Sequence, residues 1–282
     1  MPNSVCRHGP VSTRYRGGPN ALRPFGSSGV GLAKSGYAAT VTPLSPCRGD
    51  PAVLFDVDGT LVDSSYLHVY AWQRALDSEG IQVAAWRIHR GIGMDGAQLV
   101  RTLSGDAPAD VQDRLSEAHS RYYREITPLL APLPGARALL RRVADLGLQV
   151  VLASSAPEDE LDTLRKVLAC NDVISATTSS HDVDTAKPDP AILQVALDRA
   201  GVTAERAVFV GDAVWDAQAA AEAGLPCIGM LSGGISAAEL EAAGAAPIFA
   251  QPQELLEQLD CTRIAALAPN RQASVRGPGV RH

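Results

Sequence analysis

The chain has 282 residues, 46% of them apolar, enough to bury a sizeable core in one large domain or two modest ones. Its formal charge of -6 is uneven: residues 1–50 hold six Lys/Arg against one acid, residues 262–282 hold four Arg and no acid, and about -15 remains on the middle. A body that acidic repels nucleic-acid phosphates over most of its surface, so no nucleic-acid partner is expected, and a small anionic substrate needs a local cationic site.

Residues 1–50 are rich in Gly, Pro, Ser and Arg without a sustained apolar period, as in RGGPNALRPFGSSGVG, and are expected to hold little fixed structure. A basic tether or a misassigned start codon would give the same composition. Order is expected to begin at Ala52-Val53-Leu54-Phe55, an apolar run between Pro51 and Asp58-Gly59 that reads as a strand buried on both faces. From Ser65 to Leu130 only helical patterns follow, at Tyr66–Glu79, Ala84–Arg90, Gly96–Leu103 and Ala109–Ile126. They predict an all-helical cap over residues 65–131, with Pro128, Pro132 and Pro134-Gly135 marking the return.

Beyond the cap, apolar runs alternate with helical patterns. The runs are Leu148–Ala153, Asp172–Ser175, Ala207–Val210, Pro226–Met230 and Pro247–Ala250; the helices are Ala136–Leu146, Pro157–Leu168, Pro188–Ala200, Asp216–Ala223 and Ala237–Ala243. This alternation predicts an α/β fold, a Rossmann-like parallel sheet core over residues 51–64 and 132–261 with the cap inserted. Residues 262–282 read as a second disordered tail. No stretch approaches the roughly 20 apolar residues of a membrane helix, and the N-terminus lacks the apolar centre of a secretory signal. Cys6, Cys47, Cys170, Cys227 and Cys261 form no Cys-x-x-Cys pair and are odd in number, as expected for free thiols in the cytoplasm.

Ligands of open parallel sheets gather at the carboxyl ends of the strands, so the polar residues following each run are the candidates. Asp56 and Asp58 follow the first run, Ser154 the second, Lys187 comes near the third, and Asp212 and Asp216 follow the fourth. Several carboxylates and one lysine at a common edge make an oxygen-rich cation site beside a fixed positive charge, an arrangement suited to phosphate.

The segments Asp56-Val57-Asp58-Gly59-Thr60-Leu61-Val62-Asp63-Ser64, Ser154, Lys187-Pro188 and Gly211-Asp212 with Asp216 resemble, in order, the four motifs of the haloacid dehalogenase superfamily. The likeness covers roughly residues 51–260 and includes the cap, as in the phosphoglycolate phosphatase and beta-phosphoglucomutase-like subgroup. It implies an Mg2+-dependent phosphatase acting on a small phosphorylated metabolite. Asp56 would be the nucleophile that becomes an aspartyl phosphate, and Asp58 the acid and then base. The metal would be held by Asp56, the backbone carbonyl of Asp58 and Asp212, with Asp216 holding a metal-bound water or Lys187. Gly59, Ser154 and Lys187 would bind the phosphoryl oxygens, with Ser155 competing for the place of Ser154.

Cap residues are expected to set specificity. Gly91-Ile92-Gly93-Met94-Asp95 resembles the cap loop that reaches into such active sites, with Ile92 and Met94 offering little to an anionic tail; a plain helix-helix turn reads equally well. His68 reads as a proton relay, a phosphate contact or a packed histidine. Cap closure is expected, hinged near Ser64–Ser65 and Ala131–Pro134. Asp58 argues against dehalogenase chemistry, and the lack of lysine over residues 65–130 argues against phosphonate cleavage through a Schiff base. A sugar phosphomutase remains the alternative, disfavoured because the Gly91–Asp95 loop has no arginine for a second phosphate; a non-catalytic binding protein is the alternative of another class. Either a monomer or a homodimer is compatible with the sequence.

Overall fold

In the computed structural model, residues 48–183 and 187–269 are described; the tail readings for residues 1–47 and 270–282 lie outside them. One parallel sheet contains β1 (Ala52–Phe55), β2 (Gln149–Ala153), β3 (Ile174–Thr178), β4 (Ala207–Gly211), β5 (Cys227–Met230) and β6 (Ala245–Phe249), ordered β3-β2-β1-β4-β5-β6. Along β1 the side chains alternate between two cores. Val53 and Phe55 join the cluster under α5 (Ala136–Asp145) and α6 (Glu158–Leu168), whereas Ala52 and Leu54 join the one under α7 (Ala191–Ala200) and α8 (Val214–Glu222). Helices on both faces explain why β1, β2 and β4 read as unbroken apolar runs.

The edge strands differ from their sequence-based bounds. β3 spans Ile174–Thr178, not Asp172–Ser175, and β6 spans Ala245–Phe249, not Pro247–Ala250. Both are only partly buried, so their apolar signal is diluted, and Pro247 within β6 is tolerated because an edge strand has a free side. Pro188 likewise precedes α7 in a turn, where Ala191 N–H donates to Asp189 Oδ1 at 2.9 Å.

The ordered body is longer than residues 51–261. Gly49 N–H donates to the Ala200 carbonyl at 2.8 Å, and Gln149 Nε2 donates to the Asp50 carbonyl at 2.6 Å. At the other end, α9 (Ala237–Ala242) is followed by α10 (Pro252–Gln258) and α11 (Arg263–Leu267), the last lying in the segment that composition assigns to a tail. Thr262 Oγ1 caps α11 by accepting from Ile264 N–H at 3.2 Å, and Ile264 is fully buried in the core under α5. A helix of five residues is too short for its period to be read in a sequence.

Between β1 and α5 the chain forms four helices, α1 (Ser65–Ser78), α2 (Ala85–Gly91), α3 (Gly96–Ser104) and α4 (Ala109–Ile126). Their inner faces bury Trp72, Leu76, Ile88, Leu99 and Leu115 as a separate cluster, each large apolar side chain contributing about 1.5–3 kcal/mol of burial. The two connections to the sheet are tied together: Asp63 N–H donates to the Ala131 carbonyl and Leu133 N–H to the Leu61 carbonyl, both at 2.9 Å. The cap therefore stands on a paired, two-stranded stalk. No helix among the described residues is long and apolar enough to cross a membrane.

Candidate active site

The strand order reverses direction between β1 and β4, the place where crevices form in open parallel sheets. Phe55 lies in register with Val210, and Asp56 N–H donates to the Val210 carbonyl at 2.9 Å. Asp56 thus leaves β1 directly beside the point where Asp212 leaves β4. Gly59 turns the chain back with φ at +76°, and a β-carbon there would lie 2.5 Å from Asp212 Oδ2, so only glycine fits. Gly233 is packed tighter still, its hypothetical β-carbon 1.7 Å from the same oxygen.

Lys187 is almost wholly buried and touches two carboxylates, Asp56 Oδ1 and Asp216 Oδ1, the latter at 2.8 Å. Asp216 Oδ2 accepts from the N–H groups of Asp212 and Ala213, both at 3.0 Å, which fixes the loop after β4. Thr60 Oγ1 donates to Asp212 Oδ1 at 2.6 Å. Burial pushes the Asp56 carboxyl up to about 7, with repulsion from Asp216 and Asp58 adding to it and Lys187 opposing. Burial, then Asp216 and Asp56, hold Asp212 well above the usual carboxylate range. Burial disfavours the Lys187 ammonium, yet Asp216 and Asp56 outweigh that and raise it.

Three buried carboxylates against one ammonium leave an excess of negative charge. Asp56, Asp212 and Asp216 each offer an oxygen within 4.8 Å of the others, a hard-oxygen set that fits a divalent cation. Since both Asp216 oxygens already have partners, Asp56 and Asp212 are the groups with oxygens to spare. A divalent cation there would offset the burial and the repulsion from Asp216 and Asp56 that raise the Asp212 carboxyl.

Asp58 occupies the cap side of Asp56. Its Oδ1 accepts from Ser64 Oγ at 2.6 Å and lies 3.3 Å from His68 Nε2, which is also 3.3 Å from Glu160 Oε1. Burial raises the Asp58 carboxyl, but His68 and the Ser64 hydroxyl prevail and hold it below its ordinary value. Burial likewise opposes a charged His68, and the charges of Glu160 and Asp58 prevail and raise it. His68 Nδ1 sits 3.2 Å from His119 Nε2, and its ring stacks on Tyr123 at 4.1 Å between centroids.

A cavity of about 210 Å³ lies between sheet and cap, with Asp56, Asp58 and His68 in its wall and Ile92 and Met94 reaching it from the cap. The Gly91–Asp95 loop presses on the core: Asp95 N–H donates to the Lys187 carbonyl at 2.8 Å, and a β-carbon on Gly93 would lie 3.0 Å from that of Ala213. Ser155 lines the cavity, its hydroxyl making no hydrogen bond within the protein, whereas Ser154 is buried and accepts from Ala156 N–H at 3.1 Å. Of the residues singled out from sequence, Asp56, Asp58, His68, Ile92, Met94 and Ser155 line this space; Lys187, Asp212 and Asp216 gather around Asp56 outside its lining, and Gly59 and Ser154 do not line it. Sequence reasoning did not single out Thr60, Ser64, Glu160, His119 or Gly233. Thr60 and Ser64 lay inside the first motif, while Glu160 and His119 carry no local signal and come together only at His68, on its two ring nitrogens.

The family model described as "haloacid dehalogenase-like hydrolase" matches residues 51–224. A phosphoglycolate phosphatase from Pseudomonas putida is 34% identical over 188 residues, covering 64% of this chain and 69% of the relative. One from Rhodospirillum rubrum is 30% identical over 210 residues, covering 70% of this chain and 86% of the relative. The crystal structure of a hydrolase from Pseudomonas syringae superimposes with a TM-score of 0.72 at 37% identity, covering 75% of this chain and 98% of that one.

Proposed function

The chain belongs to the haloacid dehalogenase-like hydrolases and is a phosphoric monoester hydrolase, and on that premise we propose that it cleaves a small phosphorylated metabolite in the cytoplasm through an aspartyl phosphate on Asp56, with Mg2+ as cofactor. The observation that carries this reading is the pair of contacts at Lys187, which joins Asp56 to Asp216 in a buried site.

Asp56 is a weak nucleophile unless nearby positive charge offsets the charge building on the phosphoryl group. Magnesium held by Asp56, Asp212 and the Asp58 carbonyl would supply Lewis-acid charge neutralisation. Lys187 fixes the Asp56 carboxylate and contributes its own charge. Asp58, held as a carboxylate, relays to the leaving oxygen a proton from His68, whose raised pKa keeps it charged 3.3 Å away, and then, as base, takes a proton from the water that hydrolyses the aspartyl phosphate. Ser64 and His68 hold it for both tasks. Gly59 lets backbone N–H groups approach the phosphoryl oxygens, and the unpartnered hydroxyl of Ser155 is available to them. Closure of the cap over the substrate on its paired stalk would exclude bulk water.

The experiment is magnesium-dependent phosphate release from para-nitrophenyl phosphate, with acid-quenched protein examined by mass spectrometry for a phosphoryl adduct on Asp56. Asp56→Asn should abolish both signals while the fold persists. Full turnover by that variant would refute the assignment.

A further inference from the structure

The leaving-group side of the cavity has its own chemistry. Trp72, Ile92, Met94 and Leu99 make an apolar wall, Ser116 and Ser120 add hydroxyls from α4, and Glu160 presents a carboxylate from the first turn of α6. Among the described residues lining this space there is no lysine or arginine, and Lys187 is committed to Asp56 and Asp216. Any positive charge on His68 is offset twice, since Nε2 lies 3.3 Å from both the Asp58 and Glu160 oxygens. Burial pushes the Glu160 carboxyl up to about 7, and above that value a carboxylate or second phosphate on the leaving portion meets its charge with no cation to balance it. An uncharged alcohol would set its hydroxyls against Ser116, Ser120 and Glu160 and its carbons against the apolar wall. The cavity, at about 210 Å³, is smaller than the ~300–1,000 Å³ typical of drug-sized ligands, so the alcohol is small.

We propose that Glu160 is a specificity-determining residue that rejects a second anionic group, so that the substrate is the monophosphate of a small uncharged alcohol and not 2-phosphoglycolate. The inference rests on the phosphatase reading above and narrows it. Glu160 acts on the leaving group by charge and shape, and through His68 on the position of Asp58.

The test compares kcat/KM of the full-length enzyme with magnesium, at pH of about 8 where Glu160 is ionised, on glycerol 3-phosphate, whose leaving alcohol is uncharged, and on 2-phosphoglycolate. Wild type should favour the first by at least about tenfold, and Glu160→Gln should narrow that ratio by about tenfold, chiefly through a lower KM for 2-phosphoglycolate. Glu160→Asp, which keeps the charge, should keep the wild-type preference. A wild-type preference for 2-phosphoglycolate, or a ratio unmoved in Glu160→Gln, overturns the inference and leaves the phosphatase reading standing. Hydrolysis of no ester, para-nitrophenyl phosphate included, overturns both.

Discussion

Thr60 Oγ1 donates a 2.6 Å hydrogen bond to Asp212 Oδ1 across 152 positions of sequence, joining the turn after β1 to the turn after β4. The hydroxyl is fully buried and lies 3.5 Å from Asp56 Oδ2, so one side chain sits between the two carboxylates best placed to hold a cation. Groups that orient a metal's ligands in this way typically govern affinity by about 10–100-fold. Thr60→Val keeps the shape and removes the donor. It should raise the magnesium concentration needed for half-maximal rate by that factor, and calorimetric magnesium titration should show the same loss. Unchanged affinity would mean that Asp212 is oriented by other contacts.

Lys187 offers a complementary test, because it offsets Asp56 and Asp216 at once in a site that water barely reaches. Removing one partner from a buried ion pair costs about 3–5 kcal/mol, since the remaining charge has no compensation. Lys187→Met should therefore lower stability in urea melts by that order and abolish turnover. Saturating magnesium should recover part of the stability, because a cation at Asp56 and Asp212 supplies some of the missing charge. A variant as stable as wild type without magnesium would show that the carboxylates protonate at little cost.

Much of this site was readable because its chemistry sits in short local signals. Asp56-Val57-Asp58-Gly59 follows an apolar run, and Gly211-Asp212 follows another, so strand ends alone placed both carboxylates at one edge of the sheet. Lys187 needed only its position after the third run and before Pro188. Glu160 and His119 were unreadable for the opposite reason. Each lies on an ordinary amphipathic helix, and only the tertiary fold brings them to His68, Glu160 from α6 and His119 from α4. The short α11 escaped, and the edge strands were found with shifted bounds, because a few half-buried residues do not establish a period.

Gly233 was invisible to motif reading, yet the structure leaves no room for a side chain there: a β-carbon would overlap Asp212 Oδ2 at 1.7 Å. The same residue's carbonyl lies 2.7 Å from Nε2 of His89 in the cap, a backbone contact that a substitution would disturb. Gly233→Ala should push Asp212 off its position, and misplacement of about 1 Å in such a constellation costs on the order of 100-fold in rate. Measured kcat should fall by that order while circular dichroism stays native. Wild-type kcat would show that the loop after β5 yields to the methyl group.

The buried carboxyl of Glu160 gives stability a characteristic dependence on pH. Burial raises its pKa from 4.5 to about 7, with His68 opposing and Asp58 adding. Between those two values the folded protein keeps a proton that the unfolded chain has released, so stability falls as pH rises through the window and levels off above it. His68 acts with the same sign, because its pKa is also raised and its contribution is lost as pH climbs past the folded value. Asp58 has the opposite sign, since its lowered pKa makes its contribution present above 3.8 and lost only as pH falls through the folded value, a separate acid window. Glu160→Gln removes one of the raised groups and weakens the shift of the other, so it should flatten the decline of stability between pH 5 and pH 8 by up to about 3 kcal/mol. Urea midpoints of wild type and variant across that range, at saturating magnesium so that Asp56 and Asp212 stay ionised in both, provide the measurement. Parallel curves would show that the Glu160 charge is as well solvated in the folded protein as in the unfolded chain, and that the acidic wall of the cavity is held without cost.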